Sequence, residues 1–270
     1  MRIGLHVDSV GRALDDLVAE TEAARAVADV VYLNETVGWD PVTLAALIGA
    51  RVPAVEVGTG VTLTYPRHPR ALAQAALSAQ QATGNRFVLG VGPGHKAPME
   101  ERFGISYDKP AAHVRDYLTR LRPLLDDTSG LPGATRPKLL LSALGPVMLG
   151  IADELADGTI LVWTTARGVA ELVAPRLHDK EIVLVAQVGV TDDADALRQQ
   201  LAAGLGPVKQ LPNYHRHLDR QGLATVADTA ILGDEKVVAQ EIRRLADVGV
   251  TELVVSVAGD RERTLAALKA

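Results

Sequence analysis

Phe87-Val88-Leu89-Gly90-Val91-Gly92-Pro93-Gly94-His95-Lys96 reads as a buried strand that sheds its side chains as it ends. Three glycines fall in five positions. Glycine weakens a strand interior, so it marks a bulge or a place where something must approach the backbone closely. His95 then stands at the rim, carrying the side chain whose charge changes most readily near neutral pH. A plain turn with an exposed histidine fits these ten residues equally well, and the flanking segments have to decide.

Working outward, the preceding strand repeats the pattern. Val55 to Leu63 runs Val-Glu-Val-Gly-Thr-Gly-Val-Thr-Leu, interrupted by Gly58 and Gly60. After Tyr65-Pro66-Arg67-His68, Pro69 suits the first turn of a helix reaching Asn85. Nearer the start, Ile3, Leu5 and Val7 alternate with Gly4, His6 and Asp8, as in a barrel strand that sends His6 towards the mouth as a candidate substrate contact. A helix over 14–27 and a strand over 30–33 follow. That strand ends in Asn34-Glu35, four residues before Trp39. Glu35 can be a base beside a stacking tryptophan, or a solvated loop acid with Trp39 as a lid over the core.

Downstream, 98–110 is a long loop on the side where barrel loops build sites. Val114, Leu118, Leu121 and Leu125 mark a helix, and a Gly- and Pro-rich connection over 126–137 leads to a strand over 138–143. That strand ends at Leu144-Gly145-Pro146, and the next, over 160–163, ends at Thr164-Thr165-Ala166-Arg167-Gly168. Both junctions offer free backbone N–H groups, and the second adds two hydroxyls and a guanidinium, a set that suits phosphate. A strand over 181–190, a helix after Gly233-Asp234 and a strand over 253–257 complete the pattern. Residues 205–225 break it and read as an insertion, with His215 and His217 exposed. Eight strands, nearly all followed by helices, predict one (β/α)8 TIM barrel over 1–270 with short insertions.

Composition agrees. The chain has 270 residues, 47% hydrophobic but only 3% aromatic, so the core must be aliphatic, as in a parallel barrel. Its net charge of −5 and lack of a basic run argue against nucleic acid and acidic membranes as partners. No cysteine is present, which removes disulfides and thiolate chemistry. His6 and Asp8 have no second ligand cluster, so no metal is expected. Without a signal-like start or a membrane-length apolar run, a cytoplasmic protein is expected.

Taken together, Gly58-Thr59-Gly60-Val61, Pro66-Arg67-His68-Pro69, the run 85–92, Ala143-Leu144-Gly145-Pro146 and Ala156-Asp157-Gly158 resemble the luciferase-like monooxygenase superfamily. Within it they resemble the branch using the deazaflavin coenzyme F420, over residues 1 to about 260. The resemblance implies a cis peptide at Gly60-Val61 supporting the cofactor ring, and Gly92 and Gly94 letting that ring lie close. It implies Asn34 and Thr59 beside the ring. It implies a phosphate held by the backbone at Ala143, Leu144 and Gly145 with Thr164, Thr165 and Arg167. Relatives that oxidise a sugar phosphate carry a histidine after strand two and a glutamate after strand four. Here the pair is exchanged, Glu35 and then His95, with Trp39 keeping its spacing. The exchange argues against a sugar phosphate and retains an acid/base pair.

The expected activity is hydride transfer between the deazaflavin and a small organic substrate, with His95 or Glu35 moving the proton and Trp39 beside them. FMN in the same fold, as in a monooxygenase, and a non-catalytic cofactor-binding relative remain open. A Schiff-base lyase is disfavoured because strands six to eight carry no lysine. Relatives commonly form homodimers, which is the expectation here.

Overall fold

A computed structural model describes residues 1–269, apart from the side chains of Pro207 and Lys209; Ala270, the last residue of the expected domain, lies outside it. The strands are β1 (Arg2–Val7), β2 (Val30–Leu33), β3 (Glu56–Thr59), β4 (Thr62–Leu63), β5 (Phe87–Gly92), β6 (Lys138–Ser142), β7 (Gly158–Val162), β8 (Glu181–Val190), β9 (Ile231–Gly233) and β10 (Glu252–Val257). Helices α1 (Leu14–Ala24), α2 (Pro41–Arg51), α3 (Pro69–Ala82), α4 (Pro110–Asp126) and α5 (Pro146–Leu155) follow successive strands. Then come α6 (Ala166–Gly168), α7 (Ala194–Gly204), α8 (Gly206–Lys209), α9 (Pro212–Gln221), α10 (Glu235–Asp247) and α11 (Arg261–Ala267).

Parallel pairing runs in the order β10-β1-β2-β3-β5-β6-β7-β8, and β10 also pairs with β8, which closes the barrel. The expected (β/α)8 architecture is therefore present. The strands are parallel, so each connection must carry the chain back outside the barrel, and the helices do this. Two apolar regions result. The larger lies between strands and helices; the smaller fills the barrel with Val30, Tyr32, Val88, Leu140, Ile160, Val183 and Val254.

Strand alternation extends that inner layer in both directions. Below it, Arg2 meets Glu56 at 3.0 Å and Glu252 at 3.5 Å, and Lys138 meets Glu181 at 2.7 Å. Above it, the same alternation brings His6, Gly60, Gly92, Ser142 and Gln187 towards the C-terminal strand ends.

The expected third strand is two pieces. Gly58 pairs with Val88 and Thr62 with Val91, so four steps on one strand oppose three on the other. This is a one-residue bulge. The Gly60–Val61 peptide within it is cis, where the resemblance put it. At the bulge the Thr59 hydroxyl donates to the carbonyl of Gly90 at 2.8 Å and accepts from its N–H at 3.1 Å, replacing ladder bonds. Gly90 is required by the protein itself, because a Cβ there would lie 2.0 Å from the Thr59 carbonyl oxygen.

Two further departures concern the late chain. β9 is a three-residue strand on β8, too short to read from periodicity. Residues 205–225, expected as an insertion, hold α8 and α9. Pro212 opens α9, and Gly222 ends it with a φ of 71°. His217, expected to be exposed, is fully buried. No helix among the described residues is long and apolar enough to cross a membrane.

Candidate active site

A cavity of about 460 Å³ opens at the C-terminal ends of the strands, where parallel barrels build their sites. Four glycines, Gly60, Gly92, Gly94 and Gly145, contribute to its wall. Gly60-Val61 comes from the bulge, Gly92-Pro93-Gly94 from the end of β5, and Leu144-Gly145-Pro146 from the junction of β6 and α5. Gly92 has little spare room, since a Cβ would meet Val61 at 3.0 Å and Ser142 at 3.1 Å. Asn34, Leu63, Ser142 and Met148 complete this side, and Tyr107, Asn213, Tyr214, Arg216 and Arg220 face it.

The expected acid/base residues share the cavity but differ in state. Both Glu35 oxygens lie within 2.8 Å of the Arg67 guanidinium, and one also accepts from the Leu63 N–H at 2.8 Å. Arg67 reaches Asp40 at 2.6 Å as well. Burial works against the Arg67 charge, yet hydrogen bonds to Glu35 and Asp40 hold its pKa above the ordinary value. Glu35 is therefore clamped, and any proton transfer by it would have to compete with that clamp. His95 has no side-chain hydrogen bond among the described residues. Its ring packs edge-to-face with Tyr214, centroids 4.7 Å apart, and burial pushes its pKa below the ordinary value. It is neutral at pH 7 and able to accept a proton.

The remaining candidates divide. Asn34, Gly60, Val61, Gly92, Gly94, Leu144 and Gly145 line the cavity. Thr59 and Ala143 are buried in the wall behind it. Trp39 lies outside: its indole donates to the Arg12 carbonyl at 3.0 Å and its ring packs on the outer core, so the stacking role expected of it finds no place. His6 is not a lining residue either. It pairs in register with Tyr32 inside the barrel, its Nε2 lacks a hydrogen-bond partner, and burial lowers its pKa.

Thr164, Thr165 and Arg167, expected at the phosphate, are instead bonded to α9. The Thr164 hydroxyl pairs with His217 at 2.8 Å. The N–H and hydroxyl of Thr165 both reach the Gln221 side-chain oxygen, at 2.9 and 3.1 Å, and Arg167 donates to the Gln221 carbonyl at 2.5 Å. Gln221 in turn donates to the Trp163 carbonyl at 2.8 Å. The junction after β7 thus holds a helix across the mouth. Burial keeps His217 neutral, with a pKa lowered to about 4.

Sequence reasoning missed Tyr107, Ser142, Met148 and the α9 residues. Tyr107 donates to the Gly94 carbonyl at 2.8 Å, while Tyr65 stacks on His113 with centroids 3.7 Å apart and donates to the Asp108 carbonyl at 2.7 Å. Together they fix the 96–110 loop against the cavity. For α9 a signal existed: Tyr214, His217, Leu218 and Gln221 recur at helical spacing between Pro212 and Gly222.

A closed parallel barrel with a glycine-lined cavity at its C-terminal mouth defines a small-molecule-binding (β/α)8 protein. Residues 6–252 match the family described as luciferase-like monooxygenase, and the chain belongs to that family. It is accordingly an oxidoreductase. A Mycobacterium tuberculosis protein provisionally named a coenzyme F420-dependent oxidoreductase is 29% identical to it over 84% of this chain and 80% of its own. Two solved structures share the fold. The coenzyme F420-dependent tetrahydromethanopterin reductase of Methanopyrus kandleri has a TM-score of 0.79 at 16% identity, covering 99% of this chain and 96% of that one. The oxygenating constituent of 3,6-diketocamphane monooxygenase from Pseudomonas putida, in complex with FMN, has 0.73 at 15%, covering 100% and 96%.

Proposed function

We propose that this protein exchanges a hydride between coenzyme F420 and a small organic substrate, with His95 as the proton-transfer residue. The observation that carries the reading is the slot itself: a cavity lined by Gly60, Val61 and Gly92 at the strand ends, beside a His95 side chain with no hydrogen bond among the described residues. Such a wall suits a flat fused ring. The cavity of about 460 Å³ has room for such a ring, and the Asn34 and Ser142 side chains that line it have no hydrogen-bond partner among the described residues, so the residues present fit the group. The M. tuberculosis relative's name supports the deazaflavin as that ring.

The bound deazaflavin would supply or take up the hydride. The protein's own residues do the rest. Gly60, Val61 and Gly92 would hold the ring flat, and Asn34 and Ser142 offer it hydrogen bonds. Tyr107 and the loop it fixes, together with Tyr214, exclude water from one side. His95, neutral at pH 7, accepts the proton released when a substrate hydroxyl is oxidised; in reduction the same nitrogen returns it. Arg67 holds Glu35 as a structural acid beneath the slot, so of the expected pair His95 is the member free to act.

FMN is the second reading, favoured by the FMN-bound monooxygenase that shares the fold. Titrating the apoprotein with F420 and with FMN, following fluorescence quenching, separates the two. Saturable quenching at micromolar F420 with much weaker FMN binding is expected. The reverse order would replace the deazaflavin by FMN.

A further inference from the structure

The cavity uses only half of the barrel mouth. None of its lining residues belongs to β1, β7, β8 or β10, which are consecutive around the barrel in the order β7-β8-β10-β1. Low in the barrel these strands are packed, and Ile160, Val183 and Val254 are buried. The inward residues above them, Val162, Val185, Gln187, Ser256 and His6, are only half-buried. Space therefore remains on this side of the mouth as well.

The last three of these are polar and incompletely bonded. Gln187 and Ser256 are register partners, and the amide donates to the hydroxyl at 3.1 Å. The Gln187 oxygen accepts no hydrogen bond among the described residues, and the Ser256 hydroxyl donates none. Leu5 pairs with Val255, so His6 stands one step further on, beside Ser256. Its Nε2 is buried without a partner. Buried polar atoms are nearly always paired, so this one calls for a reason.

Charge narrows what could pair with it. Asp8 and Glu20 are the charged groups that act on His6, and burial outweighs both, so the imidazole is neutral at pH 7. Glu20 is held by Arg12 and Arg261, and Asp8 is exposed. The carboxylates disfavour an incoming anion, and the burial that disfavours an imidazolium disfavours any other buried cation. A neutral group that donates and accepts hydrogen bonds is what remains.

Trp163, just past the end of β7, links this half to His95. Its φ of 55° is left-handed, uncommon for so bulky a side chain, and Gln221 donates to its carbonyl at 2.8 Å. Tyr214 packs edge-to-face with both rings, its centroid 6.3 Å from that of Trp163 and 4.7 Å from that of His95. One aromatic wall thus runs from His95 to the strand beside β8.

We infer that His6, Gln187 and Ser256 form the substrate's half of the mouth and bind an uncharged hydrogen-bonding group of it, a hydroxyl, carbonyl or amide. Trp163 and Tyr214 wall the way from that group to His95. Calling this half the substrate's rests on the glycine-lined cavity holding the redox ring, as proposed above; the polar site itself does not.

The test uses probes of one ring size: cyclohexanol, cyclohexanone, cyclohexanecarboxylate and cyclohexylamine. NMR of histidine-labelled protein reports where each binds, with the His6 imidazole signal identified by its loss in His6→Asn. Cyclohexanol and cyclohexanone should shift that signal saturably, and the two ions should bind much more weakly. Ser256→Ala and Gln187→Met should each weaken the neutral probes by roughly 2- to 10-fold, the worth of one hydrogen bond. Neutral probes that leave the His6 signal unmoved overturn the assignment, as does either ion binding as tightly as they do. Should His6→Asn fail to fold, Ser256→Ala decides by affinity, and full retention in a variant with wild-type circular dichroism contradicts the site. If neither F420 nor FMN binds while the neutral probes still shift His6, the ring reading fails and the polar site stands.

Discussion

The two ends of the barrel interior carry polar side chains on the same alternating pattern, but one end gathers them into ion pairs, whereas at the other Gln187 bonds Ser256 at 3.1 Å and several side chains make no bond. At the N-terminal end, Arg2, Glu56 and Glu252 meet, as do Lys138 and Glu181. At the C-terminal end, the side chains of Asn34, Ser142 and His95 make no hydrogen bond among the described residues, and His6 leaves one nitrogen unpartnered. The first arrangement closes the barrel. The second leaves half-buried polar groups able to bond a ligand, and among the groups named there the His6 nitrogen is the one buried without a partner, which carries a cost. Glu35 is the exception at the mouth: it belongs to the cavity by position and to the closed end by its bonding.

The largest effect that would sharpen this contrast is at His95. His95→Ala should lower turnover with bound cofactor by about 100- to 10,000-fold while leaving cofactor affinity nearly unchanged. In wild type, burial lowers the His95 pKa, so the neutral base persists below the ordinary histidine value of about 6.5. Oxidation rates should therefore be flat from pH 7 to 8 and fall only as pH drops through that lowered pKa. A pH–rate profile checks it, and unaltered turnover in the alanine variant would remove His95 from the mechanism.

Glu35→Gln should act differently. Losing the charge opposite Arg67 should cost roughly 1–3 kcal/mol of stability, read as a lower melting temperature. Turnover should fall far less than in His95→Ala. An equal fall in turnover would make Glu35 a proton carrier and erase the distinction between them.

The smallest effect belongs to the closed end. Burial raises the Glu252 pKa, with Tyr32 and Arg2 pulling the other way, and one Glu252 oxygen has no hydrogen bond. A carboxyl whose folded pKa lies above its unfolded value of about 4.3 favours the fold fully below that value and loses the contribution as pH rises through the folded pKa. Glu252→Gln should abolish that decline and be at least as stable as wild type at pH 7, with cofactor binding unchanged. A large loss of stability at pH 7 would show that the ionised pair supports the barrel.

Much of this was legible in the residues. Alternation and glycine-marked strand ends specify the barrel, and the glycines at 58, 60, 90 and 92 flag the bulge. Their immediate cause was not legible. Gly90 makes way for the Thr59 carbonyl, a contact between strands that are thirty residues apart in sequence and meet only in the fold. Trp39 illustrates the opposite difficulty: its spacing from Glu35 suggested a stacking platform, but its indole N–H found the Arg12 carbonyl and its ring the outer core. The phosphate junction misled for a related reason. Thr164, Thr165 and Arg167 have the right chemistry, yet Gln221 and His217 take them up from α9, and nothing local to residues 164–167 reveals that.

Ser142→Leu tests the slot most directly. Ser142 lines the cavity beside Gly92, and leucine there would fill space from the β6 wall. The protein should fold with a melting temperature near wild type but bind F420 and FMN roughly 5- to 100-fold more weakly in fluorescence titration, the penalty of about 1–3 kcal/mol expected for overfilling a packed site. A folded Ser142→Leu protein that binds the cofactor as tightly as wild type would contradict a ring bound against the ends of β5 and β6.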